Sequence, residues 1–563
     1  MNKLDKRNFT YLNQLVNSRE KTIKLEHDII LEEDEMFPEG ITITEDNTTI
    51  DGNGHTIDAK KLTRIFKVKA KNVTLDNMSL KNGYSNKNGG AIYNARNSNL
   101  KIINLKIINN TARWGGAIRN YGTLKIFHSI IKKNKAKKGA GIYTAKKTKV
   151  TIYNSKIISN TARWGGGIHN YGRLRILKSR ITKNCAKKAG AIYNTKKATM
   201  HIGNSSLISN NGRWGGCIYN YGFLNVLQST INENTSKKGA AIYNKGGKIH
   251  IKSSKFHNNT VEFSYNKKRD MLLYGKGGAI FNYSGKINME NTTLKNNIAE
   301  YCGGAIHNRK TAKMNLTDTT LKNNKASYGG AITNEGTMSI NECELSENIA
   351  QEEGFVEYGG AINNTGLLMV EESTFLSNNS VEGGGAIHNE KKGIVSITDT
   401  LLADNTSFDG GAVSNGGKLT IKNCILTHNE AQEDGGAIDN FKYGIISISD
   451  TSLTKNKADN GGSISNTGHL GISNSIIDNN IANHSGGAIA NTSIFTLREM
   501  TTFSGEMTIE NSNITSNTAE NAGAITNSGF LNITESIVCN NHSDDGINIQ
   551  NNGKIMMKNT KIQ

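Results

Sequence analysis

The chain has 563 residues, 59 of them Gly and one Pro, with 68 Lys and Arg against 48 Asp and Glu for a net charge of +20. That length exceeds the usual size of one globular core, whereas a chain of stacked repeats grows without limit because each repeat touches only its neighbours. Six Cys, at 185, 217, 302, 343, 424 and 539, form no CxxC and no His-bearing metal spacing, which argues against a zinc site or disulfide framework.

At the N-terminus, residues 9–16 carry apolar side chains at 9, 12, 15 and 16, the spacing of a short amphipathic helix that would cap the open end of a repeat stack. Residues 21–80 read as irregular strands, Thr22 to Leu31, Ile41 to Ile50, His55 to Ile57, Ile65 to Val68 and Val73 to Leu80, with a turn at 51–54. Residues 1–84 are therefore assigned to the cap and first coils, and 85–563 to regular repeats. No apolar run reaches signal-peptide or membrane-span length, so the expectation is a chain without an export signal or anchor of its own.

From residue 85 the hexapeptide Gly-Gly-Ala-Ile-x-Asn, or a close variant, returns at 89, 115, 139, 165, 189, 215, 239 and on to 522, mostly in steps of 24 to 26. Within a repeat the apolar residues alternate over short runs, Ile118 with Asn120 and Leu124 with Ile126, which is a strand period. One repeat is one coil of a parallel β-helix of about 20 coils, with like residues stacked about 4.8 Å apart. The Asn slot is Asn in every clear copy except Thr144, and a second column runs through Asn110, Asn134, Asn160, Asn184, Asn210 and Asn234. Both read as buried ladders that satisfy turns. Cys343 and Cys424 occupy the slot held by Ser155 and read as small core residues.

The charge is unevenly placed. Between Asn77 and Asn232 there is no Asp or Glu against 28 Lys and Arg, while residues 351–450 hold 5 basic and 15 acidic residues. That asymmetry suits either polyanion binding or end-to-end association of molecules. The basic segment also has a 50-residue superperiod of two coils. Stacking aligns Arg113, Lys137, Arg163, Lys187, Arg213 and Lys237 in one column, and Trp114, Lys138, Trp164, Lys188, Trp214 and Lys238 in the next. Neighbouring cations repel by roughly 0.9 kcal/mol per pair at 4.8 Å in water-like dielectric, and a cation on an indole face recovers about 0.5 to 1 kcal/mol. The stripe reads equally as a self-stabilised solvated face and as a binding surface for acidic polymers or sugars. The period is interrupted near 261–274, 350–357 and 495–505, where extra residues must leave the coils as loops.

The pairing of Gly-Gly-Ala-Ile with a later aromatic-or-aliphatic-x-x-Asn (Phe375 with Asn378, Phe256 with Asn259, Ile157 with Asn160) resembles the repeat of the chlamydial-type polymorphic outer-membrane proteins. The opening run from Thr49 to Ile57, with Arg64 to Phe66, Asn72 to Leu75 and Asn88 to Ile92, resembles the adhesin-like β-helix proteins of methanogenic archaea. Those resemblances imply a right-handed, pectin-lyase-like parallel β-helix, displayed at the cell surface or secreted, with an adhesive role and no catalytic residues to transfer. Within these 563 residues no signal peptide and no terminal barrel or anchor is expected, a departure from that pattern.

The reading is a non-enzymatic adhesin-like protein whose binding residues are Arg113, Lys137, Arg163, Lys187, Arg213 and Lys237 with Trp114, Trp164 and Trp214, and whose partner is an anionic polymer or cell-surface glycan. No cofactor or metal is expected. The alternative is a polysaccharide lyase or hydrolase, which needs paired carboxylates or an acid-bound Ca²⁺. The basic third has no carboxylate, and Glu342, Glu344, Glu347, Asp404 and Asp409 form no recognisable motif. A polyanion or nucleic-acid binder inside the cell fits the charge, with no nucleic-acid motif to support it.

Overall fold

The computed structural model describes residues 7–266, 271–273, 275–351, 358–496 and 501–563. They form an all-β parallel solenoid of about 20 turns with one short helix near the N-terminus. The chain divides into two compact units, Met1–Ser264 with Ile280–Ile287, and Tyr265–Ala279 with Asn288–Gln563.

In the first unit, helix α1 (Phe9–Val16) buries Phe9, Leu12 and Val16. Asn8 caps it by accepting from the Tyr11 N–H at 3.0 Å, and the Glu35 carboxylate accepts from the Thr10 N–H at 2.6 Å. Phe9 meets Phe37 edge-on at 5.8 Å.

The coil built on the reference repeat shows how sequence becomes shape. Its strands are β1 (Thr111–Trp114), β2 (Ile118–Asn120), β3 (Thr123–Phe127) and β4 (Ile130–Lys132). Alternation along β3 turns Leu124 and Ile126 inward, and parallel pairing in register sets them on Val150 and Ile152 of the next coil. Single left-handed residues, His128 (φ +50°) and Lys133 (φ +55°), bend the chain between strands. Each is followed by a residue whose side chain seals the bend. Ser129 Oγ donates to the Phe127 carbonyl at 2.7 Å and accepts from the Leu105 N–H at 3.0 Å. Asn134 Oδ1 accepts from the Asn110 N–H at 2.9 Å, and its Nδ2 donates to Asn160 Oδ1 at 2.9 Å. Cys343 and Cys424 take over the Ser role, with Sγ 3.1 Å from the Asn341 and Lys422 carbonyls.

Both expected Asn ladders are present in each unit. In the first, the slot after Ile-x runs Asn170, Asn194, Asn220, Asn244 and Asn282 at 2.8 to 3.0 Å per step. Thr144 keeps half of its rung by donating Oγ1 to Asn170 Oδ1 at 2.7 Å. In the second unit the same slot runs from Asn308 through Asn334 and Asn364 to Asn527 and Asn551. Gly115 opens β2 at φ +67°, where a Cβ would lie 2.3 Å from the Ile118 carbonyl.

Two details differ from the sequence reading. The runs Thr22 to Leu31, Ile41 to Ile50 and Val73 to Leu80 are each split, into Thr22–Lys24 and Ile29–Ile30, into Ile41–Ile43 and Thr49–Asp51, and into Val73–Asp76 and Ser79–Lys81. Polar turn residues interrupt them, Asn47 at φ +63° among them. The short pieces already stand in coil register, Ile23 on Ile50, Ile50 on Leu75 and Leu75 on Ile102. The interruption near 495–505 is an antiparallel hairpin, Ser493–Thr496 with Thr501–Ser504. Its tip, residues 267–270 and 274 of the first interruption, and 352–357 of the second lie outside the described residues.

Candidate functional site: a basic aromatic face

The register sets Trp114 on Lys138, Lys138 on Trp164, Trp164 on Lys188 and Lys188 on Trp214. Each later indole carries two cations. Arg163 and Lys138 lie 4.8 and 5.0 Å from the Trp164 ring centre, and Arg213 and Lys188 lie 5.0 and 5.1 Å from that of Trp214. Trp114 instead stands on Asn88 and is held by Arg113 at 4.8 Å and Arg119 at 5.7 Å. Arg113, Lys137, Arg163 and Lys187 are exposed, whereas Arg213 and Lys237 are half-buried. Lys237 turns its ammonium to the Phe263 carbonyl. The column is therefore a cationic edge whose free charge is concentrated in its first four members.

Beside it runs a row that the sequence reading passed over, the x slot of Gly-Gly-Ala-Ile-x-Asn. Tyr93, Arg119, Tyr143, His169, Tyr193, Tyr219 and Tyr243 stack one coil apart. Alternation alone points this slot away from the core, yet in β2 all three residues are buried, because neighbouring aromatics close over it. Tyr219, Tyr243 and Phe281 form a buried cluster against which Tyr193, Trp214 and Tyr221 pack. Arg119 is only 6% exposed and sits 3.5 Å from the Tyr143 ring centre, with Nη2 donating to Tyr121 Oη at 2.6 Å. His169 lies among Tyr143, Tyr171 and Tyr193 at 5.2, 5.0 and 4.7 Å. Burial, and then the nearby Lys138 and Arg119 charges, push its pKa well down, so it is neutral. Burial likewise pushes the Tyr143 hydroxyl up to about 12.

A third row follows the Asn ladder. Its members are Tyr121, Ala145, Tyr171, Thr195 and Tyr221, each tied by its N–H to the Asn or Thr carbonyl of the coil before at 2.8 to 3.2 Å. The strands on either side are joined by two residues at Tyr121-Gly122, Tyr171-Gly172 and Tyr221-Gly222. Four residues make the same connection at 95–98, 145–148 and 195–198. The longer turns stand out as ridges tipped by exposed Arg96, Lys146, Lys147, Lys196 and Lys197, with valleys between them. The valley between the second and third ridges is an open groove of about 1000 Å³, lined by Tyr171, Tyr193, Tyr221, Arg173 and the four ridge lysines.

Residues 9–119 match the family model described as "Putative pectate lyase-like adhesive domain". No curated protein matches the chain. The chain is thus a β-solenoid whose residues 9–119 are similar to a pectate lyase-like adhesive domain, and the match runs into the first coil of the face, through Trp114 and Arg119. An adhesive domain points to the cell surface, and among the described residues no helix is long and apolar enough to cross a membrane.

The second unit places different chemistry in the same slots. The x slot there holds His388, Ser414 and Asp439, and the slot of the indoles holds Tyr358, Gly383 and Asp409. Glu390 Oε1, His388 Nε2 at 3.9 Å, and His388 Nδ1 with Ser414 Oγ at 2.5 Å form a chain of polar groups that the linear sequence does not reveal. Ser414 is 0% exposed, so it presents no hydroxyl to a substrate. Glu342, Glu347 and Asp404 are spent on left-handed bends. Asp409 is gathered with Asp434 and Asp439. Burial, and then the Asp434 charge, push Asp409 up to about 6, and burial with the two neighbouring carboxylates pushes Asp439 well up.

A pH dependence follows. Asp409 is raised in the folded state, so its contribution is intact below the unfolded value near 3.8 and is lost as pH rises towards about 6. For this partly exposed group the loss is about 1 to 2 kcal/mol after allowing for solvent screening. His307 and His388, both held down to about 4 with burial the first cause, act in the opposite direction over the same range. The readout is therefore the difference between wild type and Asp409→Asn in chemical denaturation. The variant should be relatively more stable at pH 7 than at pH 4, and an equal difference at both would refute the shift.

Proposed function

We propose that the protein is a non-enzymatic surface adhesin that binds acidic polymers of a cell surface or cell wall through the basic aromatic face of its first unit. The observation that carries this reading is the run from Asn77 to Asn232. It places 28 cationic side chains and no carboxylate on consecutive coils, with Trp and Tyr rings between the charges. Fixed cations of this density hold a cloud of counter-ions, and a polyanion that displaces them gains from their release. The indoles keep the Arg and Lys heads in place, so little side-chain freedom is lost on binding. The adhesive description of the matched family supports the same reading, as does the burial of Ser414.

The test compares binding of a sulfated glycan and an anionic cell-wall polymer to wild type and to the combined variant Arg113→Ser, Arg163→Ser, Arg213→Ser at low salt. The variant is expected to bind about tenfold more weakly, the loss of roughly 0.5 kcal/mol per cation removed. Equal binding by the two proteins would overturn the reading.

A further inference from the structure

The two-coil superperiod does more than repeat charge. It alternates large and small residues in the row behind the Asn ladder, Tyr121, Ala145, Tyr171, Thr195, Tyr221, and alternates short with long turns in step. Successive Tyr positions of this row therefore lie two coils apart, about 9.6 Å along the stack, with a small residue between them. At Thr195 the interval is floored by Tyr193, whose ring centre lies 6.1 Å from that of Tyr221. Lys196 and Lys197 stand on the long turn that Thr195 begins, Lys146 and Lys147 on the long turn two coils before, and Arg173 on the short-turn coil between them, all of them lining one groove.

We propose that this slot is a subsite for one acidic sugar ring of a polysaccharide, and that the face repeats it every two coils. It rests on the reading of the face as a polyanion-binding surface and adds the class of polymer. The Tyr171, Tyr193 and Tyr221 rings that line the groove offer aromatic faces against which a pyranose can pack. Thr195, Thr199 and the Tyr hydroxyls offer hydrogen bonds to sugar hydroxyls, and the lysine pairs meet a carboxylate or sulfate on the ring's edge. Spacing separates a glycan from a nucleic acid. Cation clusters about 9.6 Å apart suit a chain charged once in every two sugars, whereas a stacked nucleic-acid strand carries a phosphate about every 3.4 Å. The equivalent slot at Ala145, between Tyr121 and Tyr171 and over Tyr143, repeats the arrangement with the ridge at Arg96.

The test uses the full chain and four probes, an alternating uronate glycan, a sulfated glycan, polyglutamate and oligo-dT, at one low salt concentration. Thr195→Tyr fills the slot with the residue that its own column carries in the neighbouring coils, and removes no charge. Combined with Ala145→Tyr, it is expected to weaken both glycans, or the one whose acid group the site accepts, by about tenfold or more, the scale of a lost stacking face. Polyglutamate should be unaffected. The quadruple variant Lys146→Ser, Lys147→Ser, Lys196→Ser, Lys197→Ser should weaken all probes. Unchanged glycan binding by the slot-filled protein overturns the slot while leaving the polyanion surface intact, as does wild type binding oligo-dT as tightly as the glycans. Wild type that binds no probe overturns both.

Discussion

Asn184→Ala is expected to destabilise the first unit by about 2 to 5 kcal/mol, because several buried groups lose their partners together. Asn184 Oδ1 accepts from both the N–H and the Nδ2 of Asn160 at 3.0 Å, and its own Nδ2 donates to the Ile157 and Thr182 carbonyls and to Asn210 Oδ1. The side chain is fully buried, so no water replaces it. The backbone N–H of Asn160 would be left as an orphaned donor, while its side-chain Nδ2 would keep only the Ile131 carbonyl. Exposed Asn211, whose side chain donates to Thr235 Oγ1 at the surface, is the control, and Asn211→Ala should cost under about 1 kcal/mol. Denaturation of the full chain reads the difference, and hydrogen exchange at residues 158–186 locates it. Equal effects of the two substitutions would show that the ladder is not a source of stability.

Salt should act on binding with the largest effect of any variable. A densely sulfated polymer that neutralises six cations of the face is expected to lose affinity by on the order of 10³ between about 50 and 200 mM salt, the scale of counter-ion release from a dense polyanion. Each exposed cation removed should lower the slope of log affinity against log salt by roughly 1. Trp164→Leu should behave differently. It removes the ring that holds Arg163 and Lys138 and no charge, so it should weaken binding and leave the slope nearly unchanged. A slope that is flat for wild type would exclude the face as an electrostatic surface.

The coil, the Ile column and both Asn ladders were legible because in a solenoid like stacks on like, and a period read along the chain is a contact read across it. The Trp and Lys alternation was legible for the same reason. What escaped was geometry that alternation does not encode. Tyr143, His169 and Tyr219 occupy a slot that a strand period directs outward, and only the cover supplied by aromatic residues of neighbouring columns buries them. The 50-residue superperiod was visible as charge, but its second consequence depends on counting the residues between β2 and β3 and their counterparts. Four at 145–148 against two at 171–172 make the ridges and the valley. The carboxyl group of Asp409 looked isolated because Asp434 and Asp439 reach it only through stacking, 25 and 30 residues along the chain.

The most direct test of the polyanion-binding face is lysine-reactivity footprinting of the full chain with and without a saturating acidic glycan. The account predicts protection of Lys137, Lys146, Lys147, Lys187, Lys196 and Lys197, with Lys418, Lys422 and Lys457 of the second unit reacting as before. Uniform protection, or protection confined to the second unit, would contradict it.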